Sequence, residues 1–324
     1  MSPPSNDTHV IGIDLGATNM LLSVVSLDGG VIARAHETTD ADRGFEHIVD
    51  KMIRGIGRVT AEAGVNENDI AAIGVAVAGA VDIASGVVLK AQNIGWVDRP
   101  LRAILEERVG RPVWIDNDVN AAVWGEYTFG AARGRGDCFG VWVGTGIGGG
   151  LVLNGRLYYG AFSTAGEFGM SVSQPDGPLG SRTVEDHASR TGMRRHIARE
   201  LADHPDSAVH RLCGGVPERI GTRVLARAYE QGDPLACRII DRGAYLLGIA
   251  IANFVTMLSV ETVVVGGGIT EALGERWLDL VRAQFAVDVF PDVCRNCRIV
   301  MTALRSDAGI LGAAQLAQMA IQST

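Results

Sequence analysis

Three apolar runs in this chain each end in a glycine-rich turn, and the pattern after each turn restricts the folds that the chain can adopt. The turns are residues 14–19, 144–150 and 266–268. After the first two turns the strand pattern resumes at once, whereas helical spacing follows the third. The first two turns are therefore predicted to join antiparallel strands, and the third to join a strand to a helix.

Gly144, Gly146 and Gly149 have the GxGxxG spacing of a dinucleotide-binding loop, but their context excludes that fold. The fingerprint requires a helix directly after the loop. Here residues 151–159 predict a hairpin around Asn154-Gly155, a pair typical of a type I′ turn. No GxxxxGK[ST] loop occurs in the sequence either, so a P-loop enzyme is excluded.

The glycine-rich turns offer groups that bind nucleotides. Backbone N–H groups with Thr and Asn side chains can surround phosphate, and Asp14 could hold a magnesium ion or its water. The backbone of the third turn could lie against a flat ring such as adenine. Considered alone, the first turn is better explained as a structural hairpin with glycine at positive φ.

A polar stretch follows the apolar residues 112–115. Asp116, Asn117, Asp118 and Asn120 fall where a strand should pass into a helix. Polar residues there either cap the helix or present their side chains to a cleft, and the stretch by itself allows both interpretations.

Three further segments place polar side chains beside apolar or glycine-rich stretches. Asn93 lies in a loop after the predicted buried strand 70–78 and Gly79; its amide can pair with a sugar hydroxyl or form an ordinary Asx turn. Glu167 is flanked by glycines that would let a ligand approach closely. Glu185 lies in a helix start that resembles a capping box, so capping and ligand binding both remain open.

The composition is that of an ordinary globular protein. With 324 residues, of which 47% are hydrophobic and 20% charged, two domains are expected. The net charge of -8 argues against nucleic-acid and membrane-surface partners. No apolar run reaches the about 18 residues of a membrane span, and Met1–Thr8 lacks a signal-peptide pattern, so we expect a cytoplasmic protein.

The cysteines indicate neither a disulfide framework nor a metal centre. They number five and are scattered along the chain. Cys294-Arg-Asn-Cys297 is a single CxxC without a second pair or nearby histidines. We therefore expect core and surface thiols, and we predict no metal-ligating residues.

Residues 10–16 and 140–146 share the pattern of an apolar run leading into glycine, which suggests two related halves. Halves that each open with antiparallel strands joined by a phosphate turn are typical of the actin, sugar kinase and Hsp70 fold class. We predict an α/β, two-domain, actin-like sugar kinase (ribonuclease H-like) fold with its active site in the interdomain cleft. The expected domains are a small one, 1–119 plus 303–324, and a larger one, 120–302.

Over nearly its whole length the sequence resembles the ROK family (repressors, open reading frames and kinases) of bacterial sugar kinases. Residues 13–19 and 144–150 resemble the family's two phosphate motifs, and residues 264–268 resemble its adenosine-side turn. Residues 230–236 and 307–313 resemble its C-terminal helices. Several motifs in the same order are far more specific than any one of them.

The resemblance implies roles for individual residues. It implies that Asp118 is the catalytic base, with magnesium arriving with ATP. It implies that the sugar is bound by Gly79, Asn93, Asn117, Asp118, Glu167 and Glu185. It implies that ATP is bound by Asp14, Gly16, Ala17, Thr18, Asn19, Gly144, Thr145, Gly146, Gly148, Gly149, Gly267 and Gly268.

The activity that the resemblance implies is transfer of the γ-phosphoryl group of ATP to a hydroxyl, the 6-OH, of a hexose, as in a glucokinase, by a homodimer. An amino or N-acetylated hexose, allose or a cyclitol is the alternative acceptor. A non-catalytic, sugar-binding regulator is the alternative from another class. A repressor would need a helix-turn-helix ahead of a first strand that begins at about residue 9, and we expect none.

The sequence departs from the family pattern in two places. Where family kinases usually have the His of Glu-x-Gly-His, which binds a structural zinc and touches the sugar, this chain has Met170. Residues 174–184 contain none of the cysteines of the zinc loop. We therefore predict no structural zinc and a sugar pocket altered beside Met170, with the identity of the sugar and the choice between ATP and polyphosphate left open.

Overall fold

The computed structural model of the chain describes residues 9–322. The segment Met1–Thr8, which we expect to lack a targeting signal, lies outside the described residues. The chain forms two compact units. The first comprises the described parts of Met1–Gly134 and Ser306–Thr324 together with Arg156–Ala165, and the second comprises Arg135–Gly155 and Gly166–Arg305.

The described chain contains groups of strands separated by helices. The strands are β1 (His9–Leu15), β2 (Asn19–Ser26), β3 (Val31–Thr38), β4 (Ile70–Val77), β5 (Ala80–Asp82), β6 (Val87–Ala91), β7 (Trp96–Arg99), β8 (Val113–Asn117), β9 (Cys138–Val143), β10 (Ile147–Leu153), β11 (Arg156–Leu157), β12 (Thr262–Gly266) and β13 (Arg298–Met301). The helices are α1 (Phe45–Ala63), α2 (Leu101–Val109), α3 (Asp118–Thr128), α4 (Val184–Ala188), α5 (Arg190–Glu200), α6 (Ala208–Cys213), α7 (Thr222–Glu230), α8 (Pro234–Leu258), α9 (Gly268–Asp288) and α10 (Ala308–Gln322).

Two five-stranded sheets repeat the same connectivity. The first has the order β3-β2-β1-β4-β8 and the second β11-β10-β9-β12-β13. In both, the first two strands of the sequence pair antiparallel, the fourth pairs in parallel with the first, and the fifth pairs in parallel with the fourth. This repetition confirms the α/β class and the two related halves.

Helix α10 lies directly on the backbone of the first sheet. A Cβ atom on Gly12 would lie 2.1 Å from the Ile310 carbonyl oxygen, and one on Gly74 would lie 1.9 Å from that of Ala313. Glycine is required at both positions because the helix packs closer than any side chain allows. The chain thereby places the start of α10 beside the end of β1.

Helix α3 also packs on α10. A Cβ atom on Gly312 would lie 1.7 Å from the Ala121 carbonyl oxygen, and one on Gly125 would lie 2.4 Å from that of Ala308. Because of this packing α3 belongs to the first unit, whose border falls at Gly134 where we expected one at residue 119.

An aromatic cluster organises the core of the second unit. The ring of Phe139 on β9 stacks on that of Phe254 on α8, with centroids 3.9 Å apart, and Phe168 meets both edge-on. The cluster fixes the segment after Glu167 against the sheet.

All five cysteines are free thiols; Cys138, Cys213 and Cys294 are buried and the other two partly buried. No helix within residues 9–322 is long and apolar enough to cross a membrane.

Candidate active site

Asn117 and Asp118 lie where β8 passes into α3. Asn117 is the N-cap, and its Oδ1 accepts hydrogen bonds from the amides of Val119 and Asn120 at 2.9 and 3.1 Å. Its Nδ2 donates to the Gly79 carbonyl and to Asp118 Oδ1, both at 3.0 Å. The predicted strand-to-helix turn is confirmed, and one amide side chain both caps the helix and orients the partly exposed Asp118 carboxylate.

Asp116, two residues earlier, is completely buried. It accepts hydrogen bonds from the Tyr159 hydroxyl at 2.6 Å, from the Asn117 amide at 2.8 Å and from Asn120 Nδ2 at 3.2 Å. Burial raises the pKa of Asp116, and these hydrogen bonds oppose the rise. Asp116 therefore anchors the strand end, whereas Asp118 is the more accessible carboxylate.

Asp14 is the second-last residue of β1 and lies close to Asp118. Burial, followed by the charge of Asp118, raises the pKa of Asp14 to about 7. A Cβ atom on Gly309 would lie 3.1 Å from Asp14 Oδ2, so the start of α10 adjoins the carboxylate. A divalent cation would stabilise two neighbouring carboxylates in their charged forms, so these residues fit a magnesium ion or its water.

The first glycine turn, between β1 and β2, leaves two successive amides unused. The Gly16 amide donates to the Asn19 carbonyl at 3.0 Å, and Thr39 binds the carbonyls of Gly16 and Thr18. In the part of the chain that the structure describes, the amides of Ala17 and Thr18 have no protein acceptor. A cavity of about 660 Å³ adjoins the turn.

The second glycine turn, between β9 and β10, has the same arrangement. The Gly144 amide donates to the Gly146 carbonyl at 2.9 Å. The amides of Thr145 and Gly146 have no acceptor within residues 9–322. The next amide, of Ile147, donates to Glu185 Oε2 at 2.7 Å. Each turn therefore presents two adjacent N–H donors, as a phosphate would require.

Gly148 and Gly149 lie outside the second turn. They belong to β10, where they pair with Trp142 and Val141. A Cβ atom on Gly149 would lie 2.7 Å from the Gly166 carbonyl oxygen. Glycine at 149 is thus explained by close backbone packing, because the GxGxxG spacing continues past the turn into a strand.

Glu185 does not form the predicted capping box. Thr183 and Asp186 form the capping box of α4. The Glu185 carboxylate instead accepts the hydrogen bond from the glycine turn. Helix α4 is short: it ends at Ala188, and Ser189 caps α5.

Two of the three glycines in the third turn, Gly267 and Gly268, have different surroundings. Gly267 has φ of 90°, and a Cβ atom there would lie 2.6 Å from the Val143 carbonyl oxygen. Gly268, the first residue of α9, is exposed and has no neighbouring atom within 4 Å of an added Cβ. Gly267 shapes the turn, and Gly268 presents open backbone on which a ring can lie.

The remaining predicted sugar ligands are exposed. Asn93 lies in the short turn after β6, and Glu167 precedes the turn that contains Met170. Met170 is 51% exposed. A cavity of about 310 Å³ beside Glu167 is lined on its apolar side by Phe254 and Met257.

Hydrogen bonds stabilise the loop that takes the place of the zinc loop of family kinases. The Arg182 amide donates to Asp186 Oδ2 at 3.0 Å, and His187 Nε2 lies 3.0 Å from the Ser181 carbonyl oxygen. The described residues contain no group of three or more His, Cys, Asp and Glu side chains that could hold a metal ion. The absence of zinc from the protein stays a prediction.

Two interactions were missed by the sequence patterns. Tyr159 binds Asp116, and Arg190 binds Thr145, at sequence separations of 43 and 45 residues. A lone Tyr after a hairpin and a lone Arg in a helix carry no local signal that could identify these partners.

Comparison with known proteins gives one consistent relationship. The model of the ROK family matches residues 10–320. A glucokinase of Thermotoga maritima is 34% identical over 312 residues, which cover 95% of this chain and 96% of that protein.

Solved structures agree. The crystal structure of a ROK family glucokinase from Streptomyces griseus in complex with glucose and AMPPNP has a TM-score of 0.83 and 32% identity, covering 96% of this chain and 99% of that chain. A ROK hexokinase from Thermus thermophilus has a TM-score of 0.82 and 30% identity, covering 98% of this chain and 100% of that chain. These similarities confirm the actin-like sugar kinase fold.

Proposed function

The chain belongs to the ROK family as a glucokinase-like sugar kinase, and from this premise we propose that it transfers the γ-phosphoryl group of ATP to the 6-hydroxyl of a hexose with Asp118 as general base. The observation that carries the proposal is the Asn117 side chain, which caps α3 and donates to Asp118 Oδ1 at 3.0 Å. A carboxylate held in this way at a helix start can accept a proton from a nearby hydroxyl.

The proposed reaction is a direct displacement. Asp118 accepts the hydroxyl proton as the sugar oxygen bonds to the γ-phosphorus, and the bond from that phosphorus to the β,γ-bridging oxygen breaks so that ADP leaves. The backbone of Gly79 and the side chains of Asn93, Asn117, Glu167 and Glu185 would hold sugar hydroxyls. Positioning of the acceptor supplies much of the rate enhancement in such reactions.

The unused amides of the two turns support phosphate binding. We assign the amides of Ala17, Thr18, Thr145 and Gly146 to the phosphates, and the open backbone at Gly268 to the adenine. Magnesium, bound with ATP and held by Asp14 directly or through water, supplies neutralisation of the phosphate charge.

The identity of the acceptor depends on the region of Met170 and Glu167. We propose a hexose such as glucose, with an amino or N-acetylated hexose, allose or a cyclitol as alternatives. We further propose a cytoplasmic homodimer that uses ATP and carries no structural zinc.

The test is ADP release from ATP with a panel of these sugars, and formation of the sugar phosphate when polyphosphate is the donor. In Asp118→Asn, turnover should fall about 10²–10⁴-fold while the sugar affinity measured by calorimetry is retained. Near-normal turnover of this variant would remove Asp118 as the base. Sugar binding by the wild-type protein without any product would favour the non-catalytic regulator.

A further inference from the structure

The start of α5 is joined to the second glycine turn by three hydrogen bonds, two of which come from Arg190. Its Nη2 donates to Thr145 Oγ1 at 2.5 Å, and its amide donates to the Gly144 carbonyl at 2.9 Å. The next amide, of Thr191, donates to the Thr145 carbonyl at 3.3 Å. The start of α5 is thus fixed to the turn, and the guanidinium group cannot move far from it.

The guanidinium group of Arg190 is not neutralised by the protein. Within residues 9–322 no carboxylate lies within ion-pairing distance of it, although the chain has a net charge of -8. By contrast, Arg195 in the same helix pairs with Asp186 at 2.7 Å, and Arg238 pairs with Glu200. A cation at the first residue of a helix also opposes the helix dipole, so its position is unfavourable without an anion.

The first amides of α5 are already occupied. Those of Arg190 and Thr191 bind the glycine turn, and that of Gly192 binds Ser189 Oγ at 2.9 Å. An anion at this place would therefore be bound by the guanidinium group and not by the helix amides. A guanidinium has five N–H donors, so its bond to Thr145 leaves donors for a second acceptor.

We propose that Arg190 binds the phosphate chain of the nucleotide, together with the unused amides of Thr145 and Gly146. This inference rests on the proposed function. When the β,γ P–O bond breaks, the electron pair stays with the bridging oxygen of ADP and the sugar proton goes to Asp118. Arg190 exchanges no proton and stabilises the negative charge that develops on the departing β-phosphate.

The experiment measures nucleotide affinity by calorimetry for wild type, Arg190→Gln and Arg190→Lys. The ligands are adenosine, AMP, ADP and AMPPNP, the last two with Mg²⁺. Arg223→Gln, which removes the same charge from the exposed face of α7, is the matched control. Arg190→Gln should weaken ADP and AMPPNP binding about 10–100-fold and leave adenosine binding unchanged. Arg190→Lys should lose less affinity for ADP and AMPPNP, and the control variant should bind all four ligands as the wild type does.

Kinetics give a second measurement. The KM for ATP should rise in Arg190→Gln while sugar affinity stays constant. Equal weakening of adenosine and AMPPNP would mean that Arg190 only supports the turn, and unchanged affinity for all four ligands would overturn the proposal. If Arg190→Gln does not fold, Arg190→Lys decides, because loss of the guanidinium fork should still weaken ADP more than adenosine. Failure of the proposed function would give a different result: the wild-type protein would bind AMPPNP but release no ADP with any sugar.

Discussion

Glu185 accepts a hydrogen bond from the Ile147 amide at 2.7 Å and thereby lies against the second glycine turn. A Cβ atom on Gly146 would lie 2.5 Å from the same carboxylate oxygen. A residue proposed to bind the sugar and a turn proposed to bind phosphate therefore share one small volume. Substitutions in the turn must be judged by their effects on both substrates.

Gly146→Val is expected to impair the use of sugar as well as ATP. The added side chain would displace Glu185, and overpacking of this kind costs about 1–3 kcal/mol, which corresponds to roughly 10–100-fold in kcat/KM. The measurement is the KM for each substrate. Gly144→Ala is the matched control, because a Cβ atom there meets nothing closer than 3.9 Å in the protein. Gly144→Ala should raise the KM for ATP alone. If Gly146→Val also changed only the KM for ATP, the position of Glu185 would not depend on the turn.

Asp116→Asn is expected to reduce stability without abolishing turnover. Asp116 is buried and accepts hydrogen bonds from Tyr159 and Asn120, and the new NH₂ group would leave at least one of these donors without a partner. We expect a loss of about 1–3 kcal/mol in the free energy of unfolding, measured by urea denaturation. Asp118→Asn serves as the comparison, with lost turnover and a smaller loss of stability. A stable but inactive Asp116→Asn enzyme would reverse the two assignments.

The purified protein is expected to carry no stoichiometric zinc. Met170 replaces the expected histidine, and hydrogen bonds from Arg182 and His187 hold the loop. The measurement is metal analysis together with activity after treatment with a chelator in excess magnesium. About one zinc per chain, lost together with activity on chelation, would contradict the prediction.

The contribution of His196 to stability is expected to fall below about pH 6.5. Burial, followed by the charge of His187, lowers the pKa of His196 from 6.5, and Arg195 and Arg199 act in the same direction. The hydrogen bond to the Asp186 carbonyl opposes them. The unfolded chain therefore binds more protons below pH 6.5, so stability is full above that pH and declines as pH falls through the folded pKa.

The measurement for His196 is the free energy of urea unfolding between pH 7.5 and 5. In that range His196→Gln should remove the His196 contribution, so the free energy of unfolding of the wild type should decrease relative to that of the variant as pH falls. Asp186, whose pKa is lowered to about 2, titrates well below the range, and Asp14, whose pKa is raised to about 7, adds a slope of the opposite sign that is common to both proteins. Equal slopes for wild type and variant would show that His196 is not the group responsible.

Local patterns in the sequence determined most of the secondary structure. Helix α8 (Pro234–Leu258) follows from local signals, because Asp233 caps it, Pro234 suits its first turn, and apolar residues repeat along it. The Asn154-Gly155 turn has positive φ at both residues, as a type I′ hairpin requires. Such signals are readable because each acts between residues that are close in the chain.

Only the tertiary structure decided which polar groups meet. Asp116 and Asp118 belong to one polar stretch, yet packing against Tyr159 buries the first while the start of α3 leaves the second partly exposed. Glu185 reaches Ile147, and Arg190 reaches Thr145, across 38 and 45 residues. No periodicity connects such distant positions, because their contact depends on how the helices pack against the sheet, and that packing sums many apolar contacts along the whole chain.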